Sequence, residues 1–239
     1  MDPKFPRIGR RSVLRIAGVA SAAFGSSLGA CISAPKCTGD ATSDSSIGFP
    51  PPSMQPDAAT ATASSRSSVL LVFFSRAGEN YYNGGRINLQ VGNTEVAAGM
   101  IRDTLACDVY RIQPAEPYSD NYDVTVQRNV REQNDRVRPA IADPLVSLDS
   151  YDTILVGSPV WNVRAPRIML TFAERFDFTG KTVYPFTTYA VSGLGNVVDE
   201  YRTACRGATI GEALAVRGEE VSGSRLRIEE WLQGIGLFG

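Results

Sequence analysis

The chain has 239 residues, a hydrophobic content of 43% and a formal net charge of -1, so it can form a packed core and lacks the basic excess of many nucleic-acid binders. The same composition excludes wholesale disorder, a collagen-like repeat and a disulfide-rich miniprotein. The sequence contains no histidine, which excludes Ser-His-Asp catalysis, Cys-His catalysis and histidine-ligated metal sites.

The first 31 residues have the pattern of an export signal. Arg10 and Arg11 precede a short apolar stretch, too short to span a membrane, which ends in small residues. The paired arginines resemble a twin-arginine signal, and residues 28–31 resemble a bacterial lipobox. We therefore expect residues 1–31 to be a twin-arginine signal peptide and Cys31 to be lipidated, on the extracytoplasmic face of the cytoplasmic membrane. The alternative is an ordinary secretory signal with an incidental cysteine, which would give a periplasmic or secreted protein.

Two regions follow the signal. Residues 32–67 consist mainly of Ser, Thr, Ala, Pro, Gly and Asp, and such a segment cannot bury enough apolar surface to fold. We expect it to be a disordered tether. Residues 68–239 have the length of one domain. Cys107 and Cys205 lie in this domain, and an exported location permits a disulfide between them that their spacing alone cannot indicate.

Apolar runs and helical periodicities alternate along the domain. Strands are predicted where continuous apolar runs indicate burial on both faces, and helices where apolar residues recur at helical spacing. Five successive strand–helix units predict an α/β fold, a parallel sheet covered by helices on both faces. Ligands of such sheets bind beyond the carboxyl ends of the strands. The predicted strands are 69–74, 108–112, 153–157, 182–187 and 213–217, and the predicted helices are 94–105, 122–136 (polar and exposed), 167–176, 196–205 and 224–233.

The loop after the first predicted strand has the composition of an anion site. Small hydroxyl side chains, glycine and a helix N-terminus can bind a phosphate without a lysine. The alternative is simple capping of the helix, with Asn93 or Thr94 as the N-cap residue. The candidate phosphate-binding residues are Ser75, Arg76, Ala77, Gly92, Asn93 and Thr94.

Two further loops carry aromatic side chains after the third and fourth predicted strands. Trp161 lies between two prolines, where an indole suits stacking on a flat heteroaromatic ring; the alternative is a core tryptophan beneath a loop. Tyr189 lies among hydroxyls and glycines that allow a ligand to approach the backbone closely; the alternative is a glycine-rich connection with a surface tyrosine. The candidate ring-binding residues are Pro159, Val160, Trp161 and Asn162 in one loop and Thr188, Tyr189, Ser192 and Gly193 in the other.

Taken together, the three loops resemble those of flavodoxin-like proteins that bind FMN. The matching segments are residues 73–77 with 92–94 for the family's phosphate loop, 157–161 for its first ring-binding loop and 187–195 for its second. The resemblance implies a flavodoxin-like three-layer sandwich, with a five-stranded parallel sheet in the order 2-1-3-4-5, and FMN as the cofactor. It also implies that the first loop surrounds the ribityl phosphate and that Trp161 and Tyr189 stack on the isoalloxazine.

Two features depart from the family pattern. Fourteen residues, 78–91, interrupt the phosphate loop, as in one branch of flavodoxin-like proteins. We expect this insertion to fold over the flavin or to dock a partner, or else to be a solvated loop. Asn162 and Val163 stand where many relatives have a tryptophan or a glycine. The missing glycine weakens the expectation of a strongly stabilised half-reduced flavin.

The resemblance implies a redox function, because a flavin carries the chemistry and the protein sets its position and electrostatics. No catalytic side chain and no metal site are predicted. A twin-arginine signal suits the export of a protein already folded around its cofactor. We therefore expect an extracytoplasmic electron-transfer carrier with an unidentified membrane or envelope redox partner and no nucleic-acid partner. The alternatives are an FMN-dependent NAD(P)H:quinone or nitroaromatic reductase, and a flavodoxin-like domain that has lost FMN and only binds a partner.

Overall fold

The computed structural model describes residues 69–238. The predicted signal peptide (1–31), the lipidation site Cys31 and the predicted tether (32–67) lie outside the described residues. Within residues 69–238, none of the helices combines the length and the apolar character needed to cross a membrane.

Residues 69–238 contain eight strands in two sheets. In chain order the strands are β1 (Val69–Phe73), β2 (Gly78–Tyr82), β3 (Gly85–Leu89), β4 (Asp108–Arg111), β5 (Thr153–Pro159), β6 (Thr182–Tyr189), β7 (Thr209–Ile210) and β8 (Leu214–Arg217). The larger sheet is parallel and has the order β4-β1-β5-β6, with both β7 and β8 paired to β6. The predicted order 2-1-3-4-5 is confirmed, with the fifth position divided between β7 and β8.

Helices cover both faces of this sheet. They are α1 (Asn93–Thr104), α2 (Tyr122–Asn134), α3 (Arg167–Ala173), α4 (Val197–Ala204) and α5 (Arg225–Gly234), and a 3-10 helix spans Gly218–Gly223. Because side chains alternate along a strand, Leu70 and Val72 of β1 enter a core with α3 and α4, while Leu71 and Phe73 enter a second core with α1 and α5. The predicted three-layer sandwich is confirmed.

One helix differs in character from its prediction. The polar sequence of α2 predicts an exposed helix, but Thr125, Asn129 and Glu132 are buried. The prediction is wrong for this one face of the helix, because polar groups on it are satisfied by hydrogen bonds inside the protein: the Thr125 hydroxyl donates to the Ser119 carbonyl at 2.7 Å, and Glu132 accepts from Tyr118 at 2.8 Å. Polarity therefore does not mark the exposed face of α2.

The insertion after β1 is an antiparallel hairpin formed by β2 and β3, not an irregular loop. Its two-residue turn is Asn83-Gly84, with φ values of 46° and 85°. Positive φ at both residues is what a type I′ turn requires, and Asn-Gly is the residue pair that tolerates it best. The turn therefore fixes the register in which Gly78 pairs with Leu89 and Tyr82 with Gly85.

Cys107 and Cys205 are both free thiols. Cys205 lies in the core beneath α3 and α4, whereas Cys107 packs against the core on the other face of the sheet. Burial raises the pKa of the Cys205 thiol to about 12, so this thiol stays protonated and unreactive at neutral pH.

Candidate functional site

A cavity of about 370 Å³ opens at the carboxyl ends of β1, β5 and β6. The loops that leave these strands form much of its wall, because the carboxyl ends of parallel strands meet at one edge of a sheet. The volume is in the range of small-molecule sites. Ten of the fourteen predicted site residues line the cavity: Ser75, Arg76, Asn93, Thr94, Pro159, Val160, Trp161, Asn162, Thr188 and Tyr189.

Four predicted residues do not line the cavity. Ala77 leads into the hairpin. Gly92 lies so close behind Ser75 that a Cβ at this position would overlap the Ser75 hydroxyl. Ser192 and Gly193 lie farther along the third loop, in a turn that leads toward α4. Gly92 therefore shapes the first loop by close packing, and the third loop contributes only its first residues to the cavity.

One end of the cavity is polar and is built around the N-terminus of α1. Ser75 Oγ accepts a hydrogen bond from the Glu95 N–H at 3.1 Å, in the first turn of this helix. Thr94 is 1% exposed, and its Oγ1 lies 2.7 Å from Oγ1 of Thr188 at the end of β6. This buried pair joins the first loop to the third. Hydroxyl groups beside the positive end of a 12-residue helix suit an anionic ligand.

Arg76 is held at the polar end by backbone carbonyls. Its guanidinium donates to Ser119 O at 2.9 Å, to Asp120 O at 3.3 Å and to Glu79 O. Its Nε is buried and has no partner among the described residues. Burial lowers the pKa of the guanidinium, which still stays charged at neutral pH. Arg76 thus fixes the surrounding chain with its terminal nitrogens and leaves one buried donor unpaired.

The other end of the cavity is aromatic. The Trp161 ring lies edge-on to Phe74, at 5.6 Å between ring centroids, and to Tyr118, at 5.0 Å. The Arg128 guanidinium lies 4.0 Å from the centroid of the Tyr118 ring, and the Tyr118 hydroxyl donates to the buried Glu132 carboxylate at 2.8 Å. Trp161 therefore packs on an aromatic cluster and also lines the cavity.

The turn after Trp161 is strained. Asn162 and Val163 have φ values of 49° and 58°, a region where a β-branched residue is an outlier that costs about 1–3 kcal/mol. Trp161 and Arg164 exchange backbone hydrogen bonds of 2.8 and 3.1 Å across the turn, and the Asn196 N–H donates to the Val163 carbonyl at 2.7 Å. These contacts maintain a conformation that the residues would not adopt alone.

Helix α2 forms a wall of the cavity that the sequence does not predict. Its contributing side chains are Tyr122, Thr125, Val126, Asn129 and Val130. Their spacing of i, i+3, i+4, i+7 and i+8 places them on one face of the helix. The spacing is present in the sequence, but only two of the five residues are aliphatic, so a search for apolar periodicity does not detect the face.

The same helix also holds the strained turn. Gln133 Nε2 donates to the Trp161 carbonyl at 3.0 Å, and Gln133 Oε1 accepts from Asn162 Nδ2 at 2.9 Å. Asn129 Oδ1 accepts a further hydrogen bond from Gln133 Nε2 at 3.2 Å. One amide side chain of α2 therefore fixes both the backbone and the side chain of the ring-binding loop.

The hairpin and the 3-10 helix complete the polar end. Asn80 and Tyr81 of β2 line the cavity, as do Gly218 and Glu219. Gly218 packs so closely on the Asn93 amide that a Cβ would overlap it. The insertion therefore contributes side chains to the cavity, which a solvated loop would not do.

The fold and the cavity together define a class of protein: a parallel α/β domain with one cavity suited to a ligand that has an anionic end and a flat ring. Within residues 69–238, no group of three or more cysteine, aspartate or glutamate residues is placed to hold a metal ion.

Comparison with known proteins identifies the family. A family model described as Flavodoxin matches residues 89–235, and the chain belongs to the flavodoxin family. No curated protein matches the chain.

Solved structures of proteins from three bacteria are similar to the chain. A crystal structure of a protein described as a flavoprotein, from Bacteroides uniformis, is 32% identical, covers 69% of this chain and 97% of its own, and has a TM-score of 0.55. A second, from Bacteroides eggerthii, is 29% identical, covers 70% and 96%, and has a TM-score of 0.57. A flavoprotein in complex with FMN, from Lactobacillus acidophilus, is 18% identical, covers 65% and 96%, and has a TM-score of 0.47.

Replacing Val163 by glycine is expected to stabilise the protein. Relief of positive φ gains about 1–2 kcal/mol, and the added chain entropy of glycine in the unfolded state offsets about 0.5–1 kcal/mol of this gain. The free energy of unfolding, measured by urea titration, should rise by up to about 1 kcal/mol. Val191→Gly is the control, because Val191 is 79% exposed and its φ is not positive. Equal destabilisation by both substitutions would show that the turn carries no strain.

Proposed function

We propose that the cavity binds FMN and that the protein is a membrane-tethered, extracytoplasmic electron carrier. The observation that supports FMN best is the presence of two kinds of wall in one cavity: the hydroxyls of Ser75 and Thr94 beside the N-terminus of α1, and the aromatic rings of Trp161 and Tyr189. FMN has the same two parts, because a ribityl chain joins its phosphate to its flat ring. Membership of the flavodoxin family supports the same cofactor.

The polar end fits a phosphate. Ser75 and Thr94 place hydroxyls beside the first turn of α1, whose backbone N–H groups and dipole attract an anion. Arg76 lines the same end, and its buried Nε lacks an acceptor among the described residues. Because an unpaired buried donor is costly, a phosphate oxygen would satisfy a group that the protein itself leaves unsatisfied.

The aromatic end fits an isoalloxazine ring. Trp161 is held in place by Phe74 and Tyr118, and Tyr189 comes from the neighbouring loop. Pro159 and Val160 add apolar wall that excludes water. Bound FMN would supply one-electron or two-electron redox chemistry. The part played by the chain is to hold the phosphate, orient the ring and keep water from its faces.

A carrier is the simplest function for such a site. A carrier has to hold the cofactor and leave one edge accessible, and no side chain has to transfer a proton to a substrate. The chain has no histidine, the side chain that most often does so. The redox partner of such a carrier would be a membrane or envelope protein.

A reductase is the second candidate, and helix α2 is the feature that favours it. Val126 and Val130 line the cavity and are nevertheless 39% and 40% exposed. They form an apolar surface at the mouth of the cavity on which a flat organic acceptor such as a quinone or a nitroaromatic could rest.

We extend the proposal to the N-terminal region and to the branch of the family. Residues 1–31 resemble a twin-arginine signal with a lipobox, and that pathway suits a domain that takes up FMN before export. A lipid on Cys31 and the polar residues 32–67 would then tether the domain to the membrane. The hairpin that interrupts the first loop supports assignment to the branch with a lengthened phosphate loop.

Substitutions at the two ends of the cavity should distinguish FMN from riboflavin, which lacks the phosphate. Thr94→Val removes a hydroxyl at the polar end and is expected to weaken FMN binding about tenfold while leaving riboflavin binding unchanged. Trp161→Ala is expected to weaken both ligands by a similar factor, because it removes a ring contact. Quenching of flavin fluorescence measures the dissociation constants of FMN and riboflavin for each variant and for the parent protein. Equal losses for both ligands in Thr94→Val would contradict the placement of the phosphate.

The choice between carrier and reductase depends on the source of electrons. We expect NADPH or NADH, added without oxygen to the FMN-loaded protein, to leave the flavin absorbance unchanged, and dithionite to bleach it. Bleaching within seconds by NAD(P)H, with free FMN as the control, would select the reductase. A protein that retains no flavin after gel filtration would contradict both functions and favour a flavin-free binding module.

The two cysteines outside the domain provide a matched test of anchoring. Cys31→Ala, expressed from the full chain in a bacterium, is expected to abolish incorporation of labelled fatty acid and to move the protein from the membrane fraction to the soluble fraction. Cys37→Ala should behave as the parent protein, because Cys37 lies outside the lipobox. Labelling that persists in Cys31→Ala would refute the anchor.

A further inference from the structure

The base of the hairpin is fixed to the N-terminal end of α2. The Glu79 N–H donates to the Asp120 carbonyl at 2.8 Å, and Glu79 Oε2 accepts from the Tyr122 N–H at 3.0 Å. Arg86 of β3 donates to both carboxylate oxygens of Asp123, at 2.7 and 2.8 Å. These contacts hold the base of the hairpin through Glu79 and the part next to the turn through Arg86, which pairs with Tyr81, so α2 restrains the hairpin along its length.

The tip of the hairpin is held on another side by a smaller set of contacts. The Asn83 N–H donates to Glu219 Oε1 at 3.1 Å. Arg217 joins the two residues, since its Nη2 lies 3.4 Å from Asn83 Oδ1 and its Nε lies 3.3 Å from Glu219 Oε2. We call these three residues the latch. Each member contacts both of the others, and the Glu219 carboxylate accepts two of the three contacts.

The hairpin joins two walls of the cavity. Glu79 and Arg86 contact the N-terminal end of α2, and Asn83 contacts Glu219 of the 3-10 helix. Tyr122 of α2 and Glu219 both line the cavity. Asn80 and Tyr81, between base and tip, line the cavity. The hairpin is therefore a roof over the polar end.

Glu219 connects the roof to the cavity. Its side chain is 5% exposed and lines the cavity. Burial alone would raise the pKa of this carboxyl, but hydrogen bonds from Asn83 and from its own backbone, together with the charge of Arg217, hold the pKa below its usual range. The carboxylate is therefore charged at neutral pH and depends on these partners. Lifting the tip breaks the hydrogen bond from the Asn83 N–H to this carboxylate.

We propose, resting on the proposed binding of FMN, that the hairpin is a latched roof which must lift for the cofactor to enter or leave the cavity. Asn80 and Tyr81 of the roof line the cavity together with the N-terminus of α1 and the 3-10 helix.

The experiment compares Glu219→Ala with Glu220→Ala in the full chain. Glu220 is the exposed neighbour of Glu219 in the same 3-10 helix, and its side chain takes no part in the latch. Glu219→Ala is expected to accelerate both association and dissociation of FMN, each about tenfold, when fluorescence is followed in a stopped-flow instrument. A residue that merely touched bound FMN would change dissociation and leave association unaltered. Glu220→Ala is expected to keep the parent rates.

Two further measurements keep the proposal falsifiable. Hydrogen exchange of the flavin-free protein should be faster at Asn83 and Gly84 in Glu219→Ala than in Glu220→Ala. Arg217→Gln, which retains Glu219 and weakens the latch, should shift the FMN rates in the same direction by a smaller factor, and it replaces Glu219→Ala if that variant does not fold.

The outcomes distinguish a failure of the roof proposal from a failure of the proposed function. A parent protein that binds no FMN contradicts the proposed function itself. A parent that binds FMN, with variants that exchange hydrogen faster at the tip but keep the parent FMN rates, overturns the roof alone.

Discussion

The parallel direction of the strands is the constraint on which the site depends. β1 is buried along its whole length, with side chains entering the cores on both faces of the sheet. Such a strand requires helices on both sides, and a chain that returns through a helix after each strand makes all strands parallel. The loops after β1, β5 and β6 therefore leave the same edge. Residues far apart in sequence, such as Ser75 and Tyr189, meet in one cavity for this reason.

Within this frame, the ring-binding loop keeps its shape at an energetic cost. Positive φ values at Asn162 and Val163 suit a glycine, and the sequence offers none. The conformation is nevertheless present, because Gln133 binds the turn from α2 and Asn196 binds it from the segment before α4. Gln133 and Asn196 thus hold the turn in a positive-φ conformation that a glycine would adopt without strain. A turn held from two sides is also less free to change shape than a glycine turn would be.

The sequence predicts the parts of this molecule that depend on apolar pattern. Continuous apolar runs locate the strands of the parallel sheet, and the loops that follow three of them supply ten of the cavity residues. The apolar pattern does not predict burial where polar groups are buried together with their hydrogen-bond partners. Thr125 and Asn129 of α2 appear solvated in the sequence and are buried in the structure. The predicted position of Ser192 and Gly193 in the cavity is not observed for a different reason. The third loop turns away from the cavity after its first residues, and the sequence pattern does not show the path of the backbone.

The hairpin is the opposite case, because the sequence does contain a signal that predicts this element. Asn83-Gly84 between two five-residue segments predicts a type I′ hairpin by itself. Where the hairpin lies is a separate question. Its position depends on Glu79 and Arg86 at the base and on Glu219 at the tip, and these partners are distant in sequence. Local turn chemistry therefore predicts the element, and only tertiary contacts determine its role in the cavity.

The charges at the polar end have a consequence for how a phosphate would be held. The terminal nitrogens of Arg76 already donate to backbone carbonyls, and Glu219 places a negative charge on the same wall. The Arg76 donors and the Glu219 carboxylate, which pairs with Arg217 at 3.3 Å, are thus already engaged within the protein. Under the proposed function, recognition rests on short-range dipoles, the hydroxyls of Ser75 and Thr94 and the N-terminus of α1. Short-range dipoles discriminate by geometry, and the roof over that end supplies the geometry.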